Sequence, residues 1–232
     1  MDEPTSFEDQ FYTDIILQCA LFATIVVSIK HKNKFRILKN FPVYSGSFLV
    51  VMIINRLCTN NHIPNLLFPL STFLDYFFTL LELIIFSNFY HQLIKNHTVK
   101  RLIIVSNLLF VLFFIFMGVR DKNFYHQGIS EKTQSIVYTV EGIILLFLCS
   151  FYYFELFKRL HVINLKNEPV FWVSTGLFFF VTCTLPYSLL ENYIDKYYPN
   201  YSFMLYSLFY LFYILLFIMI MRAYLCKLEM TK

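Results

Sequence analysis

The chain has 232 residues, of which 58% are hydrophobic, 20% aromatic and only 15% charged. A water-soluble domain of this length needs far more polar surface, so a soluble globular enzyme or binding module is excluded. The formal net charge is +4, but no nucleic-acid motif accompanies it, and nucleic acid is not an expected partner.

The N-terminus is acidic (Asp2, Glu3, Glu8, Asp9) and lacks the basic segment that opens a cleavable signal peptide. A first apolar run follows at Thr13–Ile29, then a basic stretch with Lys30, Lys32, Lys34, Arg36 and Lys39. The second run, Phe41–Leu57, ends on Asn55 and Arg56; the segment "CTNNHIPN" after it carries the Asn and Pro of a turn. The third, Leu66–Leu93, contains Asp75, Thr79 and Glu82, and Lys95, Lys100 and Arg101 separate it from the fourth, Leu102–Val119. The connection from Arg120 to Gln134 is the longest and is too short to fold alone. The fifth run, Ser135–Phe157, carries Tyr138 and Glu141, and is followed by Lys158, Arg159 and Lys166. Pro169 and Trp172 open the sixth, Val170–Leu190, which holds Pro186; "ENYIDKYYPNY" reads as an interfacial loop before the last run, Phe203–Leu225.

Each run is long enough to cross roughly 30 Å of hydrocarbon as a helix at about 1.5 Å per residue. The runs are too long and continuous for the alternating strands of a β-barrel. The expected fold is therefore all-α: residues 1–232 as one polytopic membrane domain, a seven-transmembrane-helix bundle in contact with the lipid bilayer. Fourteen of the 19 Lys and Arg residues, those above plus Arg222, Lys227 and Lys232, fall on one side. The positive-inside rule makes that side cytoplasmic, with the N-terminus outside and the C-terminus cytoplasmic.

The candidate site residues lie toward the outer side. Asp75, Thr79 and Glu82 are spaced four and three residues apart, and Tyr138 and Glu141 three apart, so each set shares a helix face. Tyr206, Tyr210 and Tyr213 form a similar stripe on the seventh run. A carboxylate facing lipid is costly, so Asp75, Glu82 and Glu141 are expected to point inward. Arg56 is the nearest cation in sequence, and an Arg56–Asp75 ion pair is the expected arrangement. Glu82 and Glu141 have no such partner and are expected to be neutral acids or bonded to Tyr and Thr hydroxyls. The competing reading makes all three acids interhelical hydrogen-bond glue, and the tyrosine stripe simple packing.

His31, His91, His97 and His161 fall on the basic side without one-helix ligand spacing, and the five cysteines have no zinc spacing. No metal site, cofactor or catalytic motif is expected. The chain lacks an interior lysine in its last run, an Asp-Arg-Tyr triad and an Asn-Pro-x-x-Tyr sequence.

Three segments, "YFFTLLELIIFSNFY" (Tyr76–Tyr90), "YTVEGIILL" around Glu141 and "PVFWVSTGLFFF" (Pro169–Phe180), carry a resemblance to another group. About half the chain resembles a group of small bacterial seven-helix membrane proteins found in Bacteroidetes-type genomes. The resemblance implies a bacterial inner-membrane location and no particular activity. Four functions are compatible with the residues. The first is a receptor-like sensor that binds a small polar or cationic ligand and signals through a separate cytoplasmic partner. The others are a proton-coupled transporter using Glu82, an intramembrane lipid-modifying enzyme, and a structural subunit of a membrane complex.

Overall fold

The computed structural model describes residues 6–31, 35–60, 64–121, 129–158 and 165–226. They form seven α-helices: α1 (Ser6–Lys30), α2 (Phe41–Asn60), α3 (Pro64–Leu93), α4 (His97–Arg120), α5 (Glu131–Phe157), α6 (Pro169–Tyr197) and α7 (Pro199–Leu225). All seven are long and apolar enough to cross a membrane, and no strand occurs among the described residues. The chain is an all-α integral membrane protein.

The ends are set by local chemistry. Asn96 caps α4, its side-chain oxygen accepting from the Thr98 amide at 2.9 Å. Pro169 and Pro199 open α6 and α7, where a missing N–H leaves nothing unsatisfied. Beyond α4, the Asp121 carboxylate accepts from the Ser130 amide and hydroxyl at 2.8 and 2.6 Å, tying that connection to the start of α5.

One loop expectation is corrected. The segment "ENYIDKYYPNY" is not an extended loop: α6 continues through it to Tyr197, and Tyr198 alone precedes α7. Continuing the helix keeps backbone N–H and C=O groups paired where the chain leaves the bilayer. In the other connection α2 reaches Asn60 and α3 begins at Pro64, and the turn expected at 61–63 lies outside the described residues. Pro186 lies inside α6, and the helix runs about three turns past it.

Six helices close a ring in the order α1, α2, α3, α5, α6, α7, each packed on the next and α7 on α1. The remaining helix, α4, lies outside, against α3 and α5, and buries only Ile103, Phe110 and Gly118. Its apolar exposed residues, such as Leu108, Leu112 and Phe116, suit lipid contact. The half of the ring nearest the α1–α2 connection is packed solid with Phe41, Phe86, Phe89, Leu148, Val173, Phe217, Ile220 and Tyr224. There Tyr90 donates to Ser174 at 3.1 Å, and Tyr224 to the Leu38 carbonyl at 2.5 Å. Toward the α2–α3 end the ring opens into a cavity.

Candidate functional site

At the α2–α3 end, α3 presents the acidic face expected from its spacing. Asn55 on α2 donates Nδ2 to both carboxylate oxygens of Asp75, at 2.9 and 3.0 Å. This corrects the expected Arg56–Asp75 pair. Neighbouring residues on a helix diverge by about 100°, so only one of Asn55 and Arg56 faces α3. Arg56 turns instead to α1, donating to Gln18 Oε1 at 3.4 Å and lying in the field of Asp14. Thr79 donates to the Asp75 carbonyl at 3.3 Å, and the Tyr138 hydroxyl approaches it from α5.

Asp75 and Asn55 form one wall of a cavity of about 230 Å³. Gln134 and Tyr138 of α5, Tyr187, Ser188 and Glu191 of α6, and Tyr210 and Tyr213 of α7 complete its polar lining. Phe48, Phe78 and Phe209 supply aromatic surface, and no Lys, Arg or His is among the described residues that line it. Several polar groups are pinned. Gln134 Nε2 donates to the Thr72 carbonyl at 3.2 Å, Tyr187 donates to Glu191 Oε1 at 3.4 Å, and the Ser135 hydroxyl donates to the Ser188 carbonyl. The site is thus an acidic, aromatic-walled recess held by side chains with fixed partners.

Below this recess lies Glu82, 3% exposed. Tyr44 of α2 donates to its Oε1 at 2.9 Å, and Tyr213 of α7 to its Oε2 at 3.4 Å. Aromatic rings surround this group: Tyr44 stacks between Phe78 and Phe217 with centroids 5.6 Å away in each case, and Phe48 stacks on Tyr213 at 4.6 Å. Glu141, on the facing helix α5, is 5% exposed, and its Oε1 has no hydrogen-bond partner. Both glutamates border a small second void of about 30 Å³. That void shares Tyr138, Ser188, Phe209 and Tyr213 with the larger cavity.

The structure therefore brings Asp75, Glu82, Tyr138, Glu141, Tyr210 and Tyr213 to two adjacent cavities with shared walls. Thr79 is buried behind them, against its own helix and Tyr138, and the side chain of Tyr206 lies outside the described residues. Sequence reasoning missed Tyr44, Asn55 as the acid's partner, Gln134 and Glu191. Glu191 falls just beyond the apolar run that ends at Leu190, although α6 continues to Tyr197; its spacing three after Ser188 is the available signal. Among the described residues no three His, Cys, Asp or Glu side chains gather as a metal site, and His161 lies outside them. No family model, curated protein or solved structure matches the chain.

Proposed function

We propose that the protein is a receptor-like membrane sensor whose outer recess binds a small organic cation. The observation that carries this reading is the cavity of about 230 Å³ with Asp75 and Glu191 in its wall, aromatic faces around them and no basic residue among its described lining. A carboxylate supplies the charge partner for an ammonium group, and Tyr and Phe faces add cation–π attraction. The volume sits below the roughly 300–1,000 Å³ of drug-sized sites, which favours a compact amine over a peptide or lipid.

The positive-inside distribution of Lys and Arg supports an extracytoplasmic opening for this recess, with the C-terminus in the cytoplasm. The resemblance stated above supports a bacterial inner membrane. A separate cavity of about 280 Å³ lies at the opposite end, lined by Leu93, Ile94, Tyr152, Glu155, Leu156, Glu168 and Val170. That is the end a cytoplasmic partner would read. The solid packing of Phe41, Phe86, Phe89, Val173 and Phe217 between the two ends favours sensing over transport, because a transporter needs polar groups to continue across the bundle.

The test is thermal unfolding of the detergent-purified protein against matched pairs of amines and neutral isosteres. A ligand that binds only the folded state raises the midpoint with concentration. The reading requires a saturating rise from at least one amine and none from its neutral isostere. Equal response to both members of every pair rejects it.

A further inference from the structure

The void between Glu82 and Glu141 has an unusual balance of hydrogen-bonding groups. Of the four hydroxyl side chains that line it, all but Tyr138 already donate elsewhere. Tyr44 and Tyr213 direct their hydroxyl hydrogens to the two oxygens of Glu82, the arrangement that suits a carboxylate anion. Thr184 donates to the Phe180 carbonyl at 2.8 Å, and Ser188 to the Thr184 carbonyl at 3.3 Å. Both hydroxyls line the void with only lone pairs left to offer. Glu141 Oε1 is buried without a partner. No Lys, Arg or His lines the space among the described residues. When ionised, two buried acids beside hydroxyls that offer only lone pairs carry an uncompensated charge, which a cation between them would offset.

We infer that Glu82 and Glu141 form an inner site for one exchangeable monovalent cation, reached from the outer cavity past Tyr138 and Tyr213. The void of about 30 Å³ has room for a water-sized group, which suits a small ion better than an organic amine. A sodium ion would take oxygen ligands from both carboxylates and from Thr184 and Ser188. A proton would bridge the acids, either directly or through one water. Both sources deliver the same charge to the same atoms. The groups facing the pair are Tyr44 from α2, Tyr138 from α5, Thr184 and Ser188 from α6, and Tyr213 from α7; Asp75 lies one step away, beyond Tyr138. This inference does not depend on the outer recess binding an amine.

The test uses the full chain in detergent, without added amine. Thermal unfolding is followed while sodium chloride replaces choline chloride at constant ionic strength. Infrared spectra in sodium-free buffer then follow the protonated-carboxyl band from mildly acidic to mildly alkaline pH. A sodium site gives a midpoint that rises and saturates with sodium and ignores choline, with the response abolished in Glu141→Gln. A proton site gives no sodium response but a carboxyl band that disappears on raising the pH, reduced in Glu141→Gln and again in Glu82→Gln. Either pattern supports the inner site. A midpoint indifferent to sodium together with a carboxyl band that does not change with pH overturns it, leaving the pair as permanently neutral interhelical bonding. Glu141→Asp serves as a second variant if Glu141→Gln fails to fold, and a sodium or carboxyl response left unchanged in a folded variant also overturns the site. Because amines are absent, failure here is distinct from failure of the recess to bind one.

Discussion

The Tyr44 hydroxyl reaches Glu82 Oε1 at 2.9 Å, a bond between α2 and α3 with both partners buried. With Tyr213 on the other oxygen, one side chain of α3 is held from two helices at once, which makes Glu82 a keystone of the ring's looser half. Removing the Tyr44 hydroxyl leaves a buried carboxylate oxygen short of a donor. Tyr44→Phe should lower unfolding stability by about 1–2 kcal/mol, within the range for bonds to charged groups and for polar contacts between membrane helices. A double-mutant cycle with Glu82→Gln, read by chemical unfolding in detergent, should show that the two losses are not additive. Additive losses would mean that the two side chains act independently.

Asn55 holds Asp75 with one nitrogen shared between both carboxylate oxygens. Asn55→Leu keeps the volume but strips the acid of that donor, and should cost about 1–3 kcal/mol. Adding Asp75→Asn to the same chain should recover part of the loss, because a neutral amide tolerates burial better than an acid. Unfolding midpoints of the two single variants and the double variant check this.

Much of this architecture is legible in the sequence, because hydrophobic length reports a membrane span directly. The acidic face of α3 and the Tyr138–Glu141 pair follow from helical spacing, and both reach the cavities. What spacing cannot supply is the angle between helices. On paper the cation Arg56 is the expected partner for Asp75, and only the rotation of α2 selects the Asn55 amide instead and sends the guanidinium to α1. Tyr44 lies some 38 residues from Glu82 in the chain, and nothing local marks it among 17 tyrosines. Glu191 was obscured by its polar neighbours, which resemble a loop until α6 is seen to continue to Tyr197.

Close approach of α6 to α7 depends on Gly176. A methyl group there would lie 2.8 Å from Met219 Cβ and 3.3 Å from Leu216 Cδ1. Since Met219 Cβ is fixed to its backbone, the helices must part, and Gly176→Ala should destabilise by about 1–3 kcal/mol. Gly46 on α2 has nothing within 4 Å of the same position. Gly46→Ala should therefore be neutral or stabilise by up to about 1 kcal/mol through helix propensity. Unfolding of both variants side by side separates packing from propensity.

Glu168, just before α6, is half-buried, and desolvation pushes its carboxyl above the ordinary 4.5. The folded protein then binds this proton more tightly than the unfolded chain does. The associated stability is fully present below the unfolded value and is lost as pH rises through the folded one. Glu168→Gln should flatten the stability profile in the window just above pH 4.5 and leave the variant no less stable at neutral pH. A profile as steep as the wild type's would show that Glu168 does not contribute.

Calorimetric titration shows whether the recess around Asp75 and Glu191 binds a small organic cation. An amine that stabilises the wild type would be titrated into wild type, Asp75→Asn and Glu191→Gln, alongside its neutral isostere. Loss of a desolvated charge pair predicts at least about a tenfold fall in affinity for Asp75→Asn, equivalent to roughly 1.4 kcal/mol. A smaller fall is expected for Glu191→Gln, with no binding of the isostere to any of the three. Undiminished amine affinity in both variants, with their folding intact, would show that the recess does not hold the amine through these acids.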